Sequence, residues 1–251
     1  MRTDAPGSLR AFPTVELAEE HYPAWGDLLH SVKTGEIAFD HVVGMKMWEY
    51  FAQHPENAKT FNDAMTAMTL AHNSAILSSY DFSPIPKIVD VGGGHGALIA
   101  SILKINPRIK GILFDAPPVI EGARHLIEVE GIADRCEVIA GDFFASVPSG
   151  GHAYILKSII HDWSDEPAIA ILRNCHRVMM ENGKLLLVEV VVPHSNEPHP
   201  IKFFDLNMLV ITGGRERTED EYRTLLEASG FTLTRIIATE SPLSVIEGER
   251  V

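Results

Sequence analysis

Cysteine is scarce in this chain. The two present, Cys136 and Cys175, form no CxxC pair and no multi-cysteine framework, so neither a disulfide scaffold nor a thiolate metal site is expected. A reducing, cytoplasmic setting follows as the expectation. No stretch approaches the ~18 uninterrupted apolar residues of a membrane span. The opening MRTDAPGSLRAFPT also lacks the basic-then-apolar order of a secretory signal, and a soluble protein is expected. Basic residues are outnumbered, 21 Lys and Arg against 34 Asp and Glu, for a formal net charge of -13. That averaged field repels phosphate backbones and no Lys/Arg cluster reverses it locally, so no nucleic-acid partner is expected. The 12 histidines include no HExxH, and His194 and His199 share a Pro-rich stretch, PHSNEPHP, with no obvious third ligand. No metal is expected.

What remains is ordinary globular material: 251 residues, 45% of them hydrophobic, enough for one large domain with a smaller appendage. Two textures divide it. Residues 1–80 read as helical. Pro55 suits a first helical turn, and apolar residues recur at Phe61, Met65, Met68, Ala71, Ala75 and Ile76, which makes one face of a long helix apolar. Trp25, Leu28, Leu29 and Val32 suggest a shorter amphipathic helix ended near Gly35. Phe39, Val42, Val43, Met47 and Phe51 suggest another.

From residue 81 to 251 the pattern changes, because Ser83 to Pro86 breaks the helix and short apolar strands begin to alternate with helical segments. Strands are expected at Lys87 to Val91, Gly111 to Phe114, Cys136 to Ala140, Ala153 to Ile160 and Lys184 to Val192. Helices fall near 96–105, 117–129, 166–180 and 218–229, and Phe231 to Ala238 with Leu243 to Glu247 look like a hairpin. The expected fold class is α/β, a Rossmann-like doubly wound sheet with an antiparallel C-terminal hairpin, preceded by a helical segment.

Ligands of open α/β sheets bind beyond the carboxyl ends of the strands, so each strand end is informative. The first ends in DVGGGHG, Asp90 to Gly96, a turn whose missing side chains let a ligand lie against the backbone. Its DxGxGxG spacing departs from GxGxxG, since Ala97 stands at the third position; alanine is tolerated there, which weakens a nicotinamide reading without removing it. The second strand ends at Asp115, where an acceptor-only carboxylate suits two ribose hydroxyls. The third ends in Gly141-Asp142-Phe143-Phe144, a carboxylate for an exocyclic amine and an aromatic surface for a purine. Each feature alone has a plain account as a turn, a cap or core. Three in succession favour an adenosine-containing ligand. The fourth strand carries Lys157 amid apolar residues and ends at His161, and the fifth places Glu189 among aliphatics with Glu216 further on. A histidine with adjacent carboxylates is a general-base arrangement.

The segments VDVGGGHG, FDAP, GDFF, LKSIIHDWSD, GKLLLVE and GGRERTEDEY, in this order, resemble the plant and microbial small-molecule O-methyltransferases of the caffeate and acetylserotonin type. The resemblance implies that Gly92, Gly94 and Asp115 hold S-adenosylmethionine, that Asp142 and Phe143 meet its adenine, and that Lys157 completes the cofactor site. It implies His161 as catalytic base with Glu189 and Glu216 bracketing it, no metal, and substrate contacts at Met65, Met68 and Met208. The substrate so implied is a small, phenolic hydroxyl compound. Members of that family begin with a winged-helix dimerisation domain; most of it is absent here, which sets the expectation for residues 1–80 as its remnant and for a homodimer through the apolar helices. Residues 81–251 are then the catalytic domain. Two rival readings stay open on sequence: a nicotinamide-dependent Rossmann oxidoreductase, and a member that binds S-adenosylmethionine without transferring methyl.

Overall fold

A computed structural model describes residues 10–251, so the helical expectation for residues 1–9 lies outside the described residues. The central sheet is built from β1 (Lys87–Val91), β2 (Lys110–Asp115), β3 (Cys136–Ala140), β4 (Ala153–Lys157), β5 (Lys184–Glu189), β6 (Phe231–Ala238) and β7 (Ser244–Arg250), in the spatial order β3-β2-β1-β4-β5-β7-β6. The first five pair in parallel, and β7 runs antiparallel to both β5 and β6. The strand order reverses between β1 and β4, so the crevice at their carboxyl ends is where a ligand is expected.

Both faces of the sheet are covered, which is why β4 and β5 are buried along nearly their whole length and show no apolar-polar alternation. Their side chains still alternate between faces. Ile88, Leu113, Ile155 and Leu186 join one core, and Val89, Ile112, Leu156 and Leu187 the other.

Six helices precede the sheet among the described residues: α1 (Ala11–Glu16), α2 (His21–Gly26), α3 (Leu28–Thr34), α4 (Ala38–Val43), α5 (Met47–Gln53) and α6 (Pro55–Ser79). Gly35 and Gly44 take φ of 76° and 80°, the left-handed conformation that ends α3 and α4 cheaply only when the residue is glycine. The continuous helix expected around Trp25 to Val32 is two short ones, parted at Asp27, and Leu29 and Val32 are each 61% exposed where burial was expected. Ala71 is likewise exposed on α6. Asn73 fastens α6 to the next helix, α7 (Ala97–Ile105), through bonds from its Nδ2 to the Ala97 carbonyl (2.9 Å) and Ser101 Oγ (2.8 Å).

The remaining helices are α8 (Pro117–Val129) after β2, α9 (Asp165–Val178) after β4, and α10 (Ile201–Ile211) and α11 (Glu219–Ala228) in succession between β5 and β6. Helices α7 and α8 cover one face; α9 and α11 cover the other. The sequence reading contained no α10. Its Pro-rich approach masks the start, and its apolar residues Val210 and Ile211 pack not on the sheet but on Ala24, Phe39, Met47 and Phe51 of the early helices. Two strands are also shorter than expected. β4 stops at Lys157 because Ser158 takes φ 53°, and β5 stops at Glu189.

Where α6 meets the sheet, Glu247 of β7 is buried and accepts from Tyr80 Oη (2.5 Å), Arg235 Nη2 (3.0 Å) and Lys184 Nζ (3.1 Å). Burial pushes this carboxyl up, but the hydrogen bonds from Arg235, Tyr80 and Lys184 outweigh it and hold it at about 2. A folded-state pKa below the unfolded one stabilises fully above the unfolded value, and that contribution is lost as pH falls through the folded value. Glu247→Gln should therefore lower the unfolding free energy by about 1.5–3 kcal/mol at neutral pH. In urea denaturation the gap to wild type should close between pH ~4.3, the unfolded value, and about 2.

Candidate active site

Backbone conformation and close packing both call for glycine in the turn after β1. Gly92, Gly94 and Gly96 have φ of 69°, 60° and 85°, open to glycine at no steric cost. A Cβ on Gly92 would lie 2.5 Å from Ile159 Cδ1, and one on Gly93 would lie 2.5 Å from Leu113 Cδ1 and 2.6 Å from Asp90 Cγ. At Gly94 a Cβ would meet nothing within 4 Å, so the turn is open to a ligand there. The Gly92 and Gly93 N–H groups donate to the Phe114 carbonyl at 2.8 and 3.3 Å, pinning the turn to the end of β2. Asp115, at that end, accepts from Gly94 N–H (2.7 Å) and Ala116 N–H (2.6 Å). Each of its oxygens keeps a second lone pair for an incoming donor.

Behind the turn sits Asp90, buried, with Oδ2 lacking a hydrogen-bond partner. Burial and the neighbouring Asp115 push its pKa to about 7, against the pull of Lys157. Lys157, at the end of β4, bonds Ser158 Oγ at 3.4 Å. Burial lowers its pKa, and Glu189 and Asp90 oppose that. Phe143 is half-buried, its Cε1 3.7 Å from where a Gly92 Cβ would stand. Trp163 meets Phe143 and Phe144 edge-on, with centroids 6.2 and 4.8 Å away. Asp142 is exposed, and its Oδ1 accepts from Phe144 N–H at 2.8 Å, so the plain turn account describes half of that carboxylate.

Glu189 is fully buried, and its Oε1 accepts the N–H groups of Ile159 (2.9 Å) and Ile160 (2.8 Å). This draws the chain out of β4 into a single 3-10 turn, Ile160–Asp162, that carries His161. His161 Nδ1 lies 2.9 Å from Glu216 Oε1 and 3.7 Å from Glu189 Oε2, and its Nε2 lies 3.8 Å from Asp162 Oδ1. Donation from Nδ1 to Glu216 selects the tautomer whose Nε2 carries the lone pair. Burial alone would lower the His161 pKa; the Glu189, Asp162 and Glu216 carboxylates overcome it and raise it to about 10. Asp162 in turn is lifted to about 7, by burial first. One ligand atom from each of His161, Glu189 and Glu216 lies within 4.8 Å of the others, so the three are brought together as expected.

On α6, Met65 and Met68 are half-buried and share a helix face with His72. His72 is lowered by burial and then by the charge of Lys157. Met208, on α10, is buried, and its carbonyl accepts the Thr212 and Gly213 N–H groups at 3.0 and 2.8 Å. An aromatic row continues from Phe61 to Trp48, and Trp48 stacks on Trp163 with centroids 6.3 Å apart.

Several supporting residues escaped sequence reasoning. Arg217 is fully buried and donates to the carbonyls of Ile160 (3.1 Å) and Trp163 (2.8 Å) and to Asp165 Oδ1 (2.8 Å), clamping the turn from both sides. Asp205 accepts the Glu216 N–H at 2.9 Å. Gly214 lies flat on the turn, and Arg215 N–H donates to the His161 carbonyl at 2.9 Å. The GGRER segment contained a signal for these: two glycines beside charged residues mark close backbone approach.

Comparison with known proteins identifies the family. A family model described as an O-methyltransferase domain matches residues 25–232. The phenazine O-methyltransferase of Lysobacter antibioticus is 44% identical over 251 residues, all of this chain and 73% of that protein. The O-demethylpuromycin O-methyltransferase of Streptomyces alboniger is 40% identical over 258 residues, 100% of this chain and 68% of the relative. Human N-acetylserotonin methyltransferase, solved in complex with S-adenosylmethionine, superposes with a TM-score of 0.90 at 25% identity, covering 99% of this chain and 72% of that one.

A Cβ at position 214 would overlap the His161 carbonyl oxygen and the Asp162 carbonyl carbon, and backbone cannot move aside cheaply. Gly214→Ala should cost about 1–3 kcal/mol, the scale of overpacking, with a loss of turnover larger than any loss of cofactor affinity. Wild-type stability in chemical denaturation together with wild-type turnover would remove Gly214 from this role.

Proposed function

The chain belongs to the S-adenosylmethionine-dependent O-methyltransferases, and from that premise we propose that His161 is the general base that deprotonates a hydroxyl on a small aromatic molecule. The observation that carries this is the placement of His161 among three carboxylates, with Nδ1 held by Glu216 and Nε2 directed away from that bond. Glu189 and Glu216 fix the ring and stabilise its cation once it has taken the proton.

The cofactor supplies an electrophilic methyl group on a sulfonium sulfur. The residues at the strand ends fit such a ligand. Asp115 offers free lone pairs for ribose hydroxyls, and the Gly92–Gly96 turn leaves no side chain at Gly94. The unpartnered carboxylate oxygen of Asp90 adds to a negative surround that favours a cation. Phe143 and the unbonded side of Asp142 take the adenine, and Lys157 completes the site at the end of β4. Met65, Met68 and Met208 line the substrate ring, supported by the half-buried face of α6 and by the aromatic row at Trp48, Phe61 and Trp163. Relatives acting on a phenazine and on O-demethylpuromycin support an aromatic acceptor.

The working state is a cytoplasmic homodimer. Two unpaired thiols support a reducing compartment. Leu17, Tyr22, Leu29 and Val32, all more than 60% exposed on or beside the early helices, support self-association through residues 1–80, since clustered exposed apolar side chains mark contact surfaces. Light scattering should give twice the chain mass at micromolar concentration, and a monomer throughout would refute the dimer.

His161→Gln should retain S-adenosylmethionine affinity within a few-fold, while turnover falls by about 100- to 10,000-fold. Because the carboxylates raise the His161 pKa to about 10, the wild-type rate should climb with pH well beyond the ordinary histidine range as the neutral ring forms. Glu189→Gln removes one anion, so it should slow turnover and move that limb to lower pH. Asp115→Ala should instead weaken the cofactor by about 1–3 kcal/mol in calorimetry. Near wild-type methyl transfer by His161→Gln at pH 7 would show that the site works by positioning alone.

A further inference from the structure

Away from the crevice, the helical segment brings together a second group of titratable side chains. Asp27 stands just before α3 and His30 one turn into it, linked by His30 N–H donating to the Asp27 carbonyl at 2.9 Å. Gly35 then reverses the chain, and α4 delivers His41 to the same place. His41 Nδ1 lies 2.6 Å from Asp27 Oδ2, and His30 Nε2 lies 3.0 Å from Glu36 Oε2. The two imidazoles stack with centroids 4.0 Å apart and planes 5° from parallel. One ligand atom each of Asp27, His30 and His41 falls within 4.8 Å of the other two.

The two stacked imidazoles, each within hydrogen-bond reach of a carboxylate, form one compact group of nitrogen and oxygen donors. A shared divalent ion suits that group, because metal-bound imidazoles are neutral and the carboxylates balance the ion's charge. Two nitrogen and two oxygen donors form a borderline set of the kind zinc accepts, at ~2.0–2.2 Å per ligand. Coordination by both rings requires one of them to turn out of the stack, and the side chains involved are half-buried to exposed, so that turn disturbs no core.

We propose that Asp27, His30 and His41, with Glu36 as the fourth ligand, form a zinc-type divalent metal site that staples α3 to α4. The staple acts on the catalytic end of the molecule through Ile37, which follows Glu36 directly. A Cβ on Gly213 would lie 2.5 Å from Ile37 Cδ1, so the α3–α4 connection rests on the segment that carries Gly214 and Glu216. The ion is separate from the methyl-transfer chemistry and orders the layer above it.

Isothermal titration of the chelator-treated full chain with zinc chloride tests this directly. The wild type should bind one ion per chain. His30→Ala and His41→Ala should each weaken it at least about 10-fold, given that even outer-shell changes cost that much. His161→Gln should leave it unchanged. Asp27→Asn, which keeps the side-chain shape and removes the charge, should weaken zinc in the same sense, so a folding defect in one histidine variant does not decide the matter. Absence of zinc binding in the wild type, undiminished binding in the histidine and Asp27 variants, or loss of binding in His161→Gln would each overturn the proposal. The last outcome would put the ion in the cluster of His161, Glu189 and Glu216.

Discussion

One buried carboxylate governs the working end of this protein. Glu189 sits at the last position of β5 with no exposure to solvent, where an uncompensated charge would cost several kcal/mol. It is compensated by two backbone N–H groups on one oxygen and by the imidazole facing the other. Those two N–H groups belong to residues that would otherwise continue β4. Satisfying Glu189 therefore ends the strand, forms the turn that carries His161 and fixes the face that the ring presents. Arg217 and Gly214 then close over a turn that already exists. Arg217 and the Arg215 N–H hold its carbonyls as Glu189 holds its amides, so both polar ends of the turn are accounted for.

The same logic of unbalanced charge extends across the crevice. Asp90, Asp115, Asp162, Glu189 and Glu216 converge there with Lys157 and His161 as the nearby cationic groups, and burial drives the Asp90 and Asp162 carboxyls to about 7. Such a cluster stores protons and waits for positive charge. A sulfonium donor carries that charge, and in the proposed reaction His161 takes the proton of the acceptor hydroxyl. Binding and catalysis thus draw on one electrostatic feature.

The early helices bear on the site through contact and through no chemistry of their own. Phe39, Met47 and Phe51 pack on Val210 and Ile211 of α10, and α10 carries Asp205, which holds the backbone of Glu216. Trp25 adds a bond from Nε1 to Asn207 Oδ1 at 2.9 Å. Order in the helical layer is therefore transmitted to the acid that orients His161, which is why a staple between α3 and α4 would matter at a distance.

Much of this could be read from the chain itself. Runs of Ile, Val and Leu interrupted by glycine and proline located the strands and the first glycine turn, because burial of a parallel sheet and positive φ each demand particular residue types in consecutive positions. Asp115 and His161 stood out by local reasoning at the ends of apolar strands, Lys157 and Glu189 as charged residues inside apolar runs, and Glu216 as an acid just before a helix. Other features depend on residues far apart in sequence. Whether Glu216 or Glu189 accepts the hydrogen bond from His161 Nδ1, how far β4 extends, what α10 packs on, and that Asp27, His30 and His41 come together were all decided by tertiary contact. Leu29 and Val32 show the limit from the other side: their spacing marks an apolar face, but only packing decides whether another element covers it. Periodicity reports the face an element offers, while the distances between faces, and the proton positions that follow from them, are set once the whole chain has closed.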